Sequence, residues 1–234
     1  MMIRQVMLAI AVVASLTDSS VAAEMKTSVI PAGGTNAILV VPPKPKGAIV
    51  LMTGGDGVVR MDGAGNAANG NSLVRNREAF AARGFAVLVP TTPDVDVAAA
   101  IAVMRTYGKV TLVGTSRGTE RSARAIAAGA KPDRLVLTSG MLSDASGTSD
   151  NAVNIIGSAA NLPPTLIVHH RHDGCRVTLP AGVEPFMAWA GSRAKVTWLD
   201  GGDTIGDACG AKAHHGYWGI DAAMVSAVAG FAAH

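Results

Sequence analysis

The chain has 234 residues, 49% of them hydrophobic, and a net charge of +3 from 20 basic and 17 acidic side chains. That apolar share excludes a disordered chain, and no basic run interleaved with aromatics marks a nucleic-acid surface. Aromatics make up 4% while glycines number 27, a composition suited to small residues packing helices closely on a sheet.

The first 23 residues read as a secretory signal peptide. Arg4 gives the positive start, Val6 to Leu16 the apolar stretch, and Val21-Ala22-Ala23 the small residues of a cleavage site. The apolar run is too short to span a bilayer, which leaves an uncleaved anchor as the weaker alternative. The mature chain is expected to start near Glu24, to occupy the periplasm or the medium, and to contact no membrane once the signal is removed. Residues 24–234, roughly 210 of them, fit a single domain with its own core.

Two short strands come first, Lys26–Ile30 and Ala37–Val41, placed as an antiparallel edge. From residue 47 onward, apolar β-rich runs alternate with helical patterns. The strands are Ala48–Met52, Ala86–Val89, Val110–Val113, Leu135–Thr138, Thr165–His169 and Val196–Leu199. Most are continuously apolar, as strands buried on both faces of a parallel sheet are. The helices are Leu73–Arg83, Val97–Tyr107, Arg117–Ala128, Glu184–Ala190 and Ile220–Ala233, three of them followed by Gly84, Gly108 and Gly129 in C-capping positions. Such alternation predicts an α/β fold, a mostly parallel sheet covered by helices on both faces. Asp62 to Asn71 is a Gly/Asn-rich loop, and Ser143 to Pro164 is polar with a weak helical patch at Val153–Ile156. Neither is apolar enough for a large lid.

The chemistry concentrates at Gly114-Thr115-Ser116-Arg117-Gly118. This stretch follows an apolar strand and precedes a helix. A serine on so sharp a turn exposes its hydroxyl at the carboxyl edge of the sheet, and the crowded turn demands small residues two before and two after it. The helix start directs backbone N–H groups toward the same place. The motif and its place on the third of six core strands resemble the α/β-hydrolase superfamily, and within it the small dienelactone-hydrolase-like branch. The likeness extends over nearly all of the mature chain.

The resemblance implies the order nucleophile, acid, histidine. Asp173, just past the strand Thr165–His169, fits the acid, with Asp144 after the preceding strand as the alternative. His215, followed by Gly216 and Tyr217, fits the base, with His214 as its competitor. The oxyanion hole implied by the family would join the Arg117 N–H to that of Gly55, or of Asp56, in the turn Thr53-Gly54-Gly55-Asp56-Gly57.

Arg117 departs from the family, whose members more often carry an apolar or amide side chain there. A cation at a helix start opposes the dipole. Two readings stand: a salt bridge to Asp56 or Glu120, or an anion contact for an acidic substrate group, with Asp56 also bordering the substrate. The two cysteines, Cys175 and Cys209, are expected to form a disulfide in an exported chain. They flank Asp173 and His215 in sequence, so the bridge would tie the acid loop to the base loop.

These residues imply a serine hydrolase that cleaves an ester-type acyl bond of a small-molecule substrate through an acyl-enzyme, with no cofactor. Five histidines at 169, 170, 172, 214 and 215 also admit a metal-dependent hydrolase, although no HExxH or cysteine-based zinc spacing occurs. A non-catalytic binding protein and an acyltransferase are the remaining alternatives on the same fold.

Overall fold

The computed structural model describes residues 24–67 and 70–234; the expected signal peptide lies outside them. One eight-stranded sheet runs through the described residues. Its strands are β1 (Lys26–Ala32), β2 (Thr35–Val41), β3 (Ala48–Met52), β4 (Ala86–Pro90), β5 (Val110–Ser116), β6 (Arg134–Gly140), β7 (Thr165–His170) and β8 (Ala194–Leu199). They lie in the order β1-β2-β4-β3-β5-β6-β7-β8. β2 pairs antiparallel with β1 and β4, and every other pairing is parallel. The mostly parallel sheet with an antiparallel N-terminal edge is therefore as expected.

Among the described residues seven α-helices cover it: α1 (Ser72–Arg75), α2 (Arg77–Ala82), α3 (Val97–Met104), α4 (Arg117–Ala127), α5 (Ala152–Ile156), α6 (Val183–Ala190) and α7 (Asp221–Ala232). Side chains of a strand alternate between faces, and β3 shows the result. Ala48, Val50 and Met52 join the core under α3, α4, α5 and α6, whereas Ile49 and Leu51 join the core under α1, α2 and α7. All five are buried, so a continuously apolar run is what a strand with two covered faces requires.

The helix expected over residues 73–83 is broken at Asn76 into α1 and α2. The Asn76 amide donates to the Ser72 carbonyl at 2.8 Å and also to Asp221 of α7. A short amide side chain that bonds its own backbone competes with the helix ladder, and here the break also fastens α1 to α7. Gly84, Gly108 and Gly129 all have positive φ, as their capping positions predict, although Gly108, with ψ −150°, lies outside the left-handed helical region.

Candidate functional site

Parallel strands leave their carboxyl ends on one edge, and the chain turns there three times to build the site. At the first turn, Ser116 closes β5 and precedes α4 with φ 53° and ψ −124°. A non-glycine residue held there carries about 1–3 kcal/mol of strain. Close packing enforces the turn. A Cβ on Gly114 would lie 2.5 Å from the Gly118 carbonyl oxygen, and one on Gly118 would lie 2.0 Å from the Met52 carbonyl oxygen. Both glycines are thus required by neighbouring backbone, which is the physical content of the motif.

The second turn follows β7. Asp173 is buried, and its Oδ1 accepts the Cys175 N–H at 2.9 Å. Its Oδ2 accepts the Thr178 hydroxyl at 3.0 Å and lies 3.0 Å from His215 Nδ1. The third turn, after β8, is a single 3₁₀ turn over His214–Gly216 that buries His215. A Cβ on Gly216 would meet the Ala211 carbonyl oxygen at 2.2 Å, so the residue after this histidine must be glycine. Ser116 and His215 line one cleft. No hydrogen bond joins their side chains among the described residues.

The alternatives separate clearly. His214 stacks on His170, with centroids 4.4 Å apart, and its Nδ1 is 3.3 Å from the His172 carbonyl oxygen. Asp144 accepts the side-chain amides of Asn151 and Asn154, each at 2.7 Å. The structure brings Asp173 to His215, and sets Asp144 to ordering the segment that carries α5. His170 spends both ring nitrogens on main chain: its Nε2 lies 2.8 Å from the Gly201 carbonyl oxygen, and its Nδ1 accepts the His172 N–H at 3.0 Å. Among the described residues, no group of three or more His, Cys, Asp and Glu is arranged to hold a metal ion.

The turn after β3 borders Ser116. Gly55, with φ 60°, lines the clefts on both sides of Ser116. The Arg117 N–H belongs to the first turn of α4, where backbone donors have no partner within the helix. Asp56 is exposed, and its Oδ1 accepts the Val58 N–H at 2.9 Å. Neither Asp56 nor Glu120 pairs with Arg117 among the described residues; Glu120 bonds Arg124 instead, at 2.8 Å.

Cys175 and Cys209 form a disulfide with Cα atoms 4.5 Å apart, joining the loop that carries Asp173 to the segment that leads to His215. Cys209 lines both clefts.

Three residues that the sequence did not single out, and Tyr217, which it named only as part of the motif after His215, hold these loops. Arg121 donates to the carbonyls of Thr53 and Gly55 at 2.7 and 2.8 Å, and burial lowers its pKa. Arg75 donates to the carbonyls of Ala211 and Gly216 at 3.0 and 2.6 Å, bracketing His215. The Tyr217 hydroxyl donates to the Val168 carbonyl at 2.7 Å and accepts the Ser139 N–H at 2.8 Å; burial pushes its phenol pKa up and keeps it protonated. Thr178 donates its hydroxyl to Asp173 Oδ2 and lies 3.0 Å from His215 Nδ1. An Arg or Thr has no sequence signature for such work, but a tyrosine two residues after the histidine was within view.

Among solved structures, the chain is similar to the esterase domain of a Rhodothermus marinus protein (TM-score 0.63, 12% identity, 90% of this chain and 98% of that one). It is also similar to an esterase/lipase from an uncultured bacterium (TM-score 0.59, 15% identity, 88% and 83% of the two chains). A third is carboxyl esterase 2 from the mycorrhizal fungus Tuber melanosporum (TM-score 0.56, 17% identity, 94% and 88%). No protein-family model matches the chain, and no curated protein matches its sequence.

Proposed function

Starting from a chain that has the α/β-hydrolase fold, we propose that it is a carboxylic ester hydrolase with Ser116 as nucleophile, His215 as base and Asp173 as acid. The observation that carries this reading is the buried contact of 3.0 Å between His215 Nδ1 and Asp173 Oδ2, beside a serine held in a strained turn. Esterase names among its structural neighbours support it.

His215 takes the Ser116 proton as Oγ attacks the acyl carbon, and Asp173 holds the imidazole in the tautomer that presents Nε2. The N–H groups of Gly55 and Arg117 stabilise the tetrahedral oxyanion. His215 then protonates the departing alcohol, and water, deprotonated by the same imidazole, releases the acid and restores Ser116. The disulfide supports an exported location, periplasmic or extracellular.

A fluorophosphonate probe should label the protein at Ser116. Ser116→Ala should abolish labelling and lower kcat on short-chain esters by about four to six orders of magnitude. Undiminished turnover in Ser116→Ala, lost on adding a chelator, would replace this reading with a metal-dependent one.

A further inference from the structure

Two clefts meet at Ser116, and they are not alike. The first, about 290 Å³, is lined by His215, Asn71 and Ala211 besides the turn after β3. The second, about 600 Å³, is lined by Arg117, Glu120, Arg121, Met141, Asp150 and Val177, and not by His215. An acid that protonates a leaving group must lie within hydrogen-bond reach of the leaving oxygen. The departing alcohol therefore belongs in the His215 cleft, and the acyl chain extends into the larger one.

The charges of the acyl cleft differ in their commitments. Glu120 bonds Arg124 at 2.8 Å, and Asp150 lies 3.7 Å from the same guanidinium. Arg121 gives its donors to the carbonyls of Thr53 and Gly55. Among the described residues neither Arg117 nor Arg121 forms an ion pair, and the Arg117 guanidinium makes no hydrogen bond either. Both carboxylates of this cleft thus already share a cation, and a positive group remains beside the nucleophile. Its place in the first turn of α4 works against the helix dipole, so it does not serve helix stability. A guanidinium presents paired donors that match a carboxylate.

We propose that the enzyme is selective for half-esters of short dicarboxylic acids with small alcohols, the free carboxylate at the far end of the acyl chain binding Arg117. The inference rests on the Ser116 reading. Ser116 Oγ displaces the alcohol, which leaves with the proton that His215 carried. Water then cleaves the acyl-serine, and the products are the dicarboxylic acid and the alcohol.

The test compares three esters by pH-stat: monomethyl glutarate, its neutral counterpart methyl valerate, and O-acetylglycolate, which carries its carboxylate on the alcohol side. The wild type should prefer monomethyl glutarate over methyl valerate in kcat/KM by about tenfold or more. That ratio should fall toward one in Arg117→Met, whatever its overall rate, and be largely regained in Arg117→Lys. A wild-type ratio near one, a ratio unchanged in Arg117→Met, or a preference for O-acetylglycolate would each overturn the inference. Ser116-dependent hydrolysis of methyl valerate without acid selectivity would sink the inference alone, whereas full activity of Ser116→Ala would sink the underlying mechanism.

Discussion

Thr178 Oγ1 lies 3.0 Å from His215 Nδ1 while donating its own proton to Asp173 Oδ2, also at 3.0 Å. The imidazole N–H is thus shared between a carboxylate and a hydroxyl that is itself bonded to that carboxylate, which fixes the ring from two directions. Thr178→Val keeps the shape and removes the hydroxyl. It should lower kcat by about 10- to 100-fold, the range for losing a hydrogen bond to a charged group, with little change in KM. Thr178→Ser should recover most of the loss. A matched rise in KM, or no rescue by serine, would mean that Thr178 only packs.

The two candidate acids should behave differently under the same substitution. Asp173 accepts from Cys175 N–H and the Thr178 hydroxyl, so an amide in its place turns a donor toward one of them and favours the wrong imidazole tautomer. Asp173→Asn should reduce kcat by about four orders of magnitude. Asp144→Asn disturbs the bonds to Asn151 and Asn154, and should lower the melting temperature while leaving kcat within a few-fold. The reverse pattern would transfer the acid to Asp144.

Reduction should act on the site before the sheet. The Cys175–Cys209 bridge closes a separation of 34 residues, worth about 3–4 kcal/mol in the chain-entropy model. Both cysteines sit in loops, and the Cys175 N–H also holds Asp173. Activity should fall under reductant while far-UV circular dichroism stays close to that of the oxidised protein. Simultaneous loss of both signals would make the bridge a support of the whole fold.

Acid should destabilise the protein through its buried histidines. Burial is the main cause that lowers the pKa of His169 and His170 in the folded state, whereas the unfolded chain protonates them near the ordinary value of about 6.5. As pH falls from about 6.5 toward the lowered folded values, the unfolded state takes up protons that the folded state refuses, so stability declines across that window and is unaffected above it. The urea midpoint should drop between pH 7 and pH 5, with a shallower slope in His169→Asn. Equal slopes in the two proteins would assign the acid lability to other groups.

Much of this arrangement was legible because it is local in sequence. The run Ala48–Met52 announces a strand covered on both faces, and Gly114 and Gly118 announce a turn whose neighbours are backbone atoms. Asp173 could be named as a candidate because the resemblance calls for an acid just past a later strand. Thr178, Arg75 and Arg121 could not, because their partners lie across space: Arg75 reaches carbonyls at residues 211 and 216, and Arg121 reaches back to 53 and 55. The break at Asn76 was hidden for the same reason, since part of what fixes it is Asp221, on the last helix.

The contact between Gly118 and the Met52 carbonyl also governs how such a site can be altered. With 2.0 Å between that oxygen and any added Cβ, α4 has no play against the end of β3, and Arg121, one turn further along the same helix, grips the turn that β3 leads into. Ser116 and the turn that carries Gly55 are thereby a single casting. On the proposed reading, substrate range can be redrawn from the far walls, at residues such as Met141 or Val177, without touching it. A change that shifts α4 by even a fraction of an ångström displaces Ser116 and Gly55 together, preserving their mutual aim while moving both relative to His215, which is anchored separately by Arg75 and Tyr217.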